Sequence, residues 1–250
     1  MSAERAIEGE GTDALDWHRW LMAAPCATHS VDDWLPHGQR LVVVAPHPDD
    51  EVLACGGLIA LHMARGGEAL VIAVSDGEAS HAGVPGWEAP QLAEARRAES
   101  AEGLQQLGAG RARVLRLGLP DGRVSAHVDV LPGMLAGVLK RSDGVVTTWR
   151  LDGHPDHEAT GLATARACLD AGCRLLEAPI WMWHWAAPGD VRVPWHRLAR
   201  VVLDDETLRR KERALAAHTS QLSVRDARRG PVLGASIRAR AAWPEEYFFA

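Results

Sequence analysis

Two short polar segments of the sequence carry residue types that can bind a divalent metal ion. The first reads Pro-His-Pro-Asp-Asp-Glu over residues 46–51, and the second reads His-Pro-Asp-His over residues 154–157. Imidazole and carboxylate groups together favour such an ion, and zinc is the default for mixed nitrogen and oxygen ligands. A catalytic zinc site needs three protein ligands and an open position for water, and His47, Asp50 and His157 would supply the ligands.

Each segment also has a simpler explanation when it is considered alone. Asp49 and Asp50 could cap the helix that follows them, and the two histidines of the second segment could lie on the surface at a helix start. Capping does not explain a histidine between two prolines, whose rings restrict the loop and would hold His47 in a fixed orientation. The coincidence of the two segments favours the metal-site interpretation.

Both segments follow predicted strands, in a chain where strands and helices alternate. The predicted strands are 40–45, 69–74, 113–117, 144–148, 175–183 and 198–203, and the predicted helices are 51–65, 89–107, 128–141, 157–171 and 204–218. This alternation predicts an α/β fold with a doubly wound, mostly parallel sheet. The ligand site of such a sheet lies beyond the carboxyl ends of its strands, where both polar segments would meet.

The domain organisation is predicted to be simple, because the sequence has no internal repeat and no low-complexity linker. Residues 1–38 would be an N-terminal extension with one amphipathic helix, whose Trp17 and Trp20 pack on the main body. Residues 39–250 would form one domain, and its C-terminal segment, from Ser220 onward, would fold back over the sheet.

Composition disfavours several classes of function. The 250 residues carry 27 Lys and Arg against 33 Asp and Glu, and the resulting net charge of −6 disfavours nucleic-acid binding. The first loop has carboxylates where a dinucleotide-binding protein has a glycine-rich turn. The sequence shows neither a secretory signal nor an apolar run long enough to span a membrane, and its four cysteines form no C-x-x-C pair. We therefore expect a cytoplasmic protein with reduced thiols.

Further motifs accompany the two polar segments. They are Arg96 and Glu99, a Leu-Pro-Asp-Gly turn at 119–122, and a Lys-x-x-Ala-x-x-x-His-x-Ser-Gln stretch at 211–221. With these motifs, residues 40–222 resemble the LmbE-like, PIG-L family of zinc N-deacetylases. That family includes GlcNAc-phosphatidylinositol de-N-acetylases and deacetylases of the mycothiol and bacillithiol pathways.

The resemblance implies a Rossmann-like fold and a hydrolase that removes an N-acyl group, N-acetyl above all, from an amino sugar or glycoside. His47, Asp50 and His157 would bind Zn²⁺, with Fe²⁺ as an alternative because a site of two histidines and one carboxylate also suits ferrous iron. A homo-oligomer is possible, as small closed oligomers are common in the family. Two other functions stay open: a metal-dependent amidase or esterase for a non-sugar substrate, and a non-catalytic relative that binds only metal or glycan.

The resemblance also implies roles for residues around the metal. Asp49 would be the general base, and His154 would stabilise the oxyanion, with Asp156 orienting it and keeping it cationic. Arg96 and Asp121 match family positions that contact the sugar. Each also has a simpler explanation, since Arg96 could pair with the glutamate three residues later on a solvated helix face, and Asp121 could be a turn residue.

Three tryptophans alternate at the end of a predicted strand. Trp181, Trp183 and Trp185 would share one face of that strand, opposite His184, and would either pack in the core or stack on a sugar ring. The mycothiol-pathway enzymes carry a tyrosine two residues before the first histidine of the second segment, where this sequence has Asp152. This departure weakens the transfer of those enzymes' substrate to this protein.

Overall fold

The computed structural model describes residues 5–7, 9 and 11–250, and their strands join into one sheet. The strands are β1 (Ala27–Thr28), β2 (Leu41–Ala45), β3 (Ala69–Ala73), β4 (Arg113–Arg116), β5 (Gly144–Thr148), β6 (Arg174–Ala178), β7 (Leu198–Val202) and β8 (Glu245–Phe249). The helices are α1 (Ala14–Ala23), α2 (Val31–Trp34), α3 (Asp50–Ala64), α4 (Ala89–Gln106), α5 (Leu131–Ala136), α6 (Pro155–Ala171), α7 (Met182–Trp185), α8 (Asp205–Ala216), α9 (Thr219–Leu222) and α10 (Ala235–Ala241).

The sheet has the predicted α/β, doubly wound form. Its eight strands follow the order β1-β7-β8-β6-β5-β2-β3-β4, and every neighbouring pair is parallel except those that include β8. All five residues of β2 are buried, as expected for a β-branched strand covered on both faces. The chain winds from β2 towards β3 on one side and later from β5 on the other, so the switch point lies between β2 and β5.

Each face of the sheet has its own apolar core. Val43 and Val71 point to one face, where they pack with side chains of α3, α4 and α8. Val42, Val44 and Ile72 point to the other face, where they pack with side chains of α5 and α6. This alternation follows from the two-residue period of a strand. The two cores hold β2 and β5, and therefore the loops that follow them, in fixed positions.

The C-terminal segment enters the sheet. After α9 and α10, strand β8 lies between β6 and β7 and is antiparallel to both. Phe248 and Phe249 are fully buried there. The expectation of a segment that only folds back over the sheet was therefore incomplete. Residues 245–249 have no alternating pattern that would identify a strand, since both faces of this strand are largely buried.

Two further regions differ in detail from the sequence prediction. The helix predicted over 128–141 is only the short α5, preceded by a 3-10 turn at Val124–His127, because Pro132 and Gly137 limit it at either end. Before residue 38 the described chain contains α1, β1 and α2 rather than one helix, and β1 pairs with β7. The division of the chain at residue 38 stays a prediction.

The helix α1 packs as expected, with Trp17 fully buried in a tryptophan-rich cluster and Trp20 at its border. All four cysteines are free thiols. Among the helices of the described residues, none has the length and apolar character needed to cross a membrane.

A buried carboxylate ties β8 to α3. Glu246 accepts hydrogen bonds from the backbone N–H groups of Gly57 and Leu58 at 2.7 and 2.8 Å, and it pairs with Lys211 Nζ at 2.7 Å. The non-helical backbone of Cys55 interrupts α3 just before these N–H groups, so they need an acceptor from outside the helix. Glu246 supplies that acceptor from the sheet.

Replacing Glu246 with alanine should lower the free energy of unfolding by about 3–5 kcal/mol, because Lys211 and two N–H groups would stay buried without a partner. Urea denaturation followed by tryptophan fluorescence measures this loss. Glu245→Ala is the matched control on the same strand, since Glu245 makes only a 4.0 Å ion pair with Arg200, and it should cost less than about 1 kcal/mol. Equal losses in the two variants would contradict the interpretation.

Candidate metal centre

The two polar segments meet at the switch point of the sheet. The first connects β2 to α3, whose first residue is Asp50, and the second leads into α6, whose N-cap is His154. The ring centroids of His47 and His157 are 5.3 Å apart. Residues far apart in the sequence therefore form one site, as the sheet topology requires.

Three buried side chains converge at this point. His47 Nδ1 lies 3.0 Å from Asp50 Oδ2, and His157 Nε2 lies 3.3 Å from the same oxygen. One ligand atom from each of the three residues lies within 4.8 Å of the others. Zinc binds nitrogen and oxygen at about 2.0–2.2 Å, so a single ion between the three groups could contact all of them. The donor set fits zinc or ferrous iron.

The second ring nitrogen of each histidine faces a carboxylate. His157 Nδ1 lies 2.8 Å from Asp152 Oδ2, while His47 Nε2 lies 3.2 Å from Asp121 Oδ1 and 3.3 Å from Asp156 Oδ2. Such carboxylates fix the tautomer and the orientation of a metal-binding histidine. His47, Asp121 and Asp156 also form a second group that could hold an ion. The first group has the stronger support because both of its histidines have this carboxylate partner.

Asp152 does more than its sequence position indicated. It is fully buried, and besides facing His157 it accepts hydrogen bonds from the backbone N–H groups of Ile180, Trp181 and Met182 at 2.9, 3.0 and 2.9 Å. From the sequence, Asp152 was only a departure from the mycothiol-pathway enzymes. Its signal was an acidic residue shortly before a candidate ligand, but nothing local showed that it would face that ligand.

The three N–H groups bound by Asp152 also turn the chain after β6 into the short helix α7. The strand predicted over 175–183 was therefore wrong beyond Ala178, and the tryptophans do not form a row on a strand face. Trp181 lines the pocket above the site, while Trp183 is buried in the tryptophan-rich cluster. Trp185 donates its indole N–H to a backbone oxygen at 2.7 Å.

Asp49 lies beside the three candidate ligands in an unusual conformation. Its φ of 132° is the only positive φ of a non-glycine residue in the described part of the chain. Such a conformation costs about 1–3 kcal/mol and persists only when its surroundings enforce it. Glu51 Oε2 accepts the Asp49 N–H at 3.0 Å and is itself tied to Ser100, and Arg96 Nη2 lies 3.2 Å from Asp49 Oδ2. Helices α3 and α4 thus hold the Asp49 carboxylate towards the pocket.

The environment alters the proton affinities of the buried groups. Burial raises the pKa of Asp49 to about 7, against the opposing charge of Arg96, and the nearby charge of Asp50 adds to the rise. Burial alone would lower the pKa of His47 and of His157. Bonds to three aspartates instead hold the pKa of His47 well above its usual range, and the charge of Asp50 raises the pKa of His157 to about 9. The carboxylates therefore favour positive charge here, whether as protons or as a cation.

Arg96 is buried, and its guanidinium stabilises the first loop through hydrogen bonds. It donates to the backbone oxygens of Gly77 and Pro48 at 2.8 and 2.7 Å. The alternative of an exposed pair with Glu99 is wrong, because Arg96 is only 2% exposed and Glu99 instead accepts hydrogen bonds from the backbone and side chain of Ser220. Arg96 lines the pocket, so its expected contact with a sugar stays a prediction.

The structure corrects the expected pairing of His154 with Asp156. The His154 Nδ1 accepts the backbone N–H of Asp156 at 3.2 Å, while the Asp156 carboxylate faces His47 and accepts two other backbone N–H groups. An acceptor nitrogen must be unprotonated, and burial, with the charges of His157 and His47, lowers the pKa of His154 to about 3. His154 is therefore a neutral ring rather than a cation, and its Nε2–H remains available as a donor.

A pocket of about 280 Å³ opens over these residues. Seven of the eight predicted site residues line it, and the exception is Asp156, which lies behind His47. The far wall comes from the C-terminal segment, through Gln221, Arg225, Val232 and Leu233. Of these four residues, only Gln221 belongs to a motif recognised in the sequence, because the other three carry no spacing pattern that signals a site.

Comparisons with known proteins identify the family of the chain. The profile of the PIG-L family, described as GlcNAc-PI de-N-acetylase, matches residues 42–168. The 1D-myo-inositol 2-acetamido-2-deoxy-alpha-D-glucopyranoside deacetylase of Rhodococcus opacus (strain B4) is 30% identical over 243 residues, which cover 74% of this chain and 82% of that protein. The chain belongs to the PIG-L family.

Solved structures similar to this PIG-L protein extend the match to the fold. The A40926 pseudoaglycone deacetylase Dbv21 is 27% identical, with a TM-score of 0.58 and coverage of 84% of this chain and 96% of that one. The conserved protein TT1542 from Thermus thermophilus is 28% identical, with a TM-score of 0.57 and coverage of 81% and 84%. Both likenesses extend beyond the residues that the family profile matches.

The contribution of the Arg96 hydrogen bonds to the stability of the first loop can be tested by substitution of Gly77, with Gly118 as the control. Both glycines have a positive φ, +69° and +67°, so alanine meets similar backbone strain at either position. A Cβ at Gly77 would overlap Arg96 Nη1, whereas at Gly118 it meets nothing within 4 Å. Gly77→Ala should cost about 1–3 kcal/mol more unfolding free energy than Gly118→Ala in urea denaturation, because it displaces the guanidinium from its buried partners. Equal costs would show that the loop does not depend on these hydrogen bonds.

Proposed function

We propose that the protein is a metal-dependent hydrolase that removes an N-acyl group, N-acetyl above all, from an amino sugar or glycoside. The observation that carries this proposal is the convergence of His47, Asp50 and His157 in one pocket, with the Asp49 carboxylate held beside them. Family membership supports it, and two similar proteins, the R. opacus protein and Dbv21, are named deacetylases.

The substrate class rests on the relatives. The R. opacus protein is named for an acetamido sugar joined to inositol, and Dbv21 is named for the pseudoaglycone of the antimicrobial reagent A40926. The shared chemistry of the two names is removal of an acetyl group. We infer that this chain acts on an N-acetylated amino sugar, with Arg96 and Asp121 contacting it from one side of the pocket.

We infer Zn²⁺ as the metal ion, with Fe²⁺ as the alternative that the same donor set allows. A bound ion of either kind would supply Lewis acidity, which activates water and polarises the amide carbonyl. His47, Asp50 and His157 would hold it. Asp152, Asp121 and Asp156 would keep the two histidine rings oriented and lower the cost of placing positive charge in the interior.

The chain's own residues would move the protons. Asp49 would take a proton from the attacking water as the water oxygen bonds to the carbonyl carbon, and would later give it to the amine nitrogen as the C–N bond breaks. Its fixed position, with the N–H held by Glu51 and the carboxylate beside Arg96, suits it to both steps. The neutral His154 would donate its Nε2–H to the developing oxyanion, a contact worth about 10²–10³ in rate in comparable sites.

Two other functions can be separated from this one. A metal-dependent amidase or esterase would release product only from non-sugar substrates, and a binding protein would hold metal without turnover. We suggest measuring metal content together with amine release from a panel of N-acetyl amino sugars and simple N-acyl amides. Amine release from the sugars supports the deacetylase, while release only from the simple amides, or from nothing, rejects it.

Asp49→Asn should keep the metal and lose turnover. The substitution preserves size but cannot accept a proton, so kcat should fall by about 10²–10⁴-fold with the metal content unchanged. Amine release and metal analysis on the same preparation measure both quantities. Asp129→Asn, at an exposed position, is the control and should behave as the wild type. Wild-type turnover in Asp49→Asn would remove this residue from the role of general base.

The two candidate metal groups respond to different substitutions. If the ion binds between His47, Asp50 and His157, then Asp50→Asn and His157→Ala should each abolish stoichiometric metal. Asp121→Asn should retain it, with affinity reduced about 10–100-fold, because Asp121 would orient His47 without binding the ion itself. Metal titration of the chelator-treated protein, with zinc and separately with ferrous iron, checks the pattern. Full loss in Asp121→Asn with retention in His157→Ala would place the ion in the other group.

A further inference from the structure

We propose that the substrate carries an anionic group, a phosphate or a carboxylate, which binds the guanidinium of Arg225. This inference rests on the proposed deacetylase function and narrows its substrate. It starts from the wall of the pocket that the C-terminal segment supplies, to which neither the motifs nor the mechanism assign a role.

Among the residues that the structure describes, the charged side chains lining the pocket lie beside opposite charges, except for Arg225. Arg96 lies 3.2 Å from the carboxylate of Asp49, and His47 lies 3.2 Å from that of Asp121. Within the described ranges Arg225 has no carboxylate within ion-pair distance, and the closest acidic residue in sequence, Asp226, is engaged by Arg229 at 2.7 Å. A cationic group without a counter-charge at the wall of a small pocket attracts an anionic ligand.

Arg225 is also fixed in place. Its Nε donates to the backbone oxygen of Gly230 at 2.8 Å, and its Nη1 lies 3.4 Å from the backbone oxygen of Ser80. For Nη2, the described residues provide no acceptor. A guanidinium held through Nε and Nη1 keeps Nη2 in a defined direction, which suits a charge-assisted hydrogen bond to an oxygen of a phosphate or carboxylate.

The position of Arg225 relates it to the expected sugar site. The loop that contains Ser80 also binds Asp121, since the Ala79 N–H donates to Asp121 Oδ2 at 2.8 Å. Arg225 and Asp121 therefore both contact this loop, and both line the pocket in which the sugar is expected. Gln221 also lines the pocket, on the wall formed by the C-terminal segment. A sugar with an attached anion would place that anion beside Arg225.

The test compares neutral and anionic substrates built on one sugar. The neutral probe is methyl 2-acetamido-2-deoxyglucoside, and the anionic probes are N-acetylglucosamine 1-phosphate, N-acetylglucosamine 6-phosphate and N-acetylmuramic acid. At low ionic strength, kcat/KM for at least one anionic probe should exceed that for the neutral probe by about tenfold or more. The phosphate and carboxylate probes distinguish the two kinds of anion. Equal hydrolysis of all four would overturn the inference and leave the deacetylase proposal intact.

Three variants separate charge from structure. Arg225→Gln keeps an amide donor for the carbonyl contacts but lacks the charge, so the anionic-to-neutral ratio of kcat/KM should fall about tenfold or more. Arg225→Lys should restore part of the ratio. Arg228→Gln, an exposed arginine of the same loop, should leave the ratio unchanged. An unchanged ratio in Arg225→Gln, or an equal fall in Arg228→Gln, would contradict a specific role for Arg225.

A binding measurement keeps the inference testable if no probe is hydrolysed, a result that would reject the proposed function by itself. Calorimetric titration with glucosamine 6-phosphate and glucosamine 1-phosphate, against methyl glucosaminide, reports the same selectivity without turnover. Tighter binding of either phosphate that weakens about tenfold in Arg225→Gln supports the anion site. Equal binding of the charged and neutral ligands would overturn it.

Discussion

The arrangement of the site follows from the cost of burying negative charge. Asp50, Asp121, Asp152 and Asp156 lie within a few side chains of one another, and each is largely shielded from water. Carboxylates in such a place need positive charge and hydrogen-bond donors close by. Two imidazole rings and several backbone N–H groups meet part of this need. A divalent cation between His47 and its neighbours would meet the rest, so the surrounding carboxylates as well as the three candidate ligands would favour a metal ion.

The same carboxylates determine the local backbone. Asp152 accepts hydrogen bonds from three successive N–H groups at the start of α7. Asp156 accepts hydrogen bonds from two N–H groups of the loop after β4. Glu51 holds the N–H of Asp49 in a conformation that an isolated peptide would avoid. The buried carboxylates therefore determine the backbone conformation of the loops as well as the charge of the site. The packed strands hold the ends of β2 and β5, and the hydrogen bonds of the buried acids hold Asp49 and the three candidate ligands in fixed positions.

The sequence was informative where a local pattern has a single physical cause. The run Val42–Val44 needs two covered faces, and it became the central strand; the two polar segments at the strand ends became one site. Local patterns failed where a distant partner decides the structure. The alternating tryptophans of residues 181–185 are typical of a strand, but the hydrogen bonds of Asp152, from another loop, place them in a helix. Strand β8 forms only by pairing with β6 and β7, which precede it in the chain. Arg225 is one of many arginines in the sequence, and only the folded structure shows that it lines the pocket.

The place of β8 in the sheet has a consequence for how the protein matures in a cell. This strand follows every other described strand in the chain, yet it lies between β6 and β7. A nascent chain can therefore pair β2 to β6 early, and β1 with β7, while β6 and β7 each keep an open hydrogen-bonding edge until residues 245–249 have left the ribosome. The segment just before them brings the far wall of the pocket. The C-terminal segment thus completes both the sheet and the wall of the pocket. A chain without this segment would keep open strand edges and would be prone to aggregate.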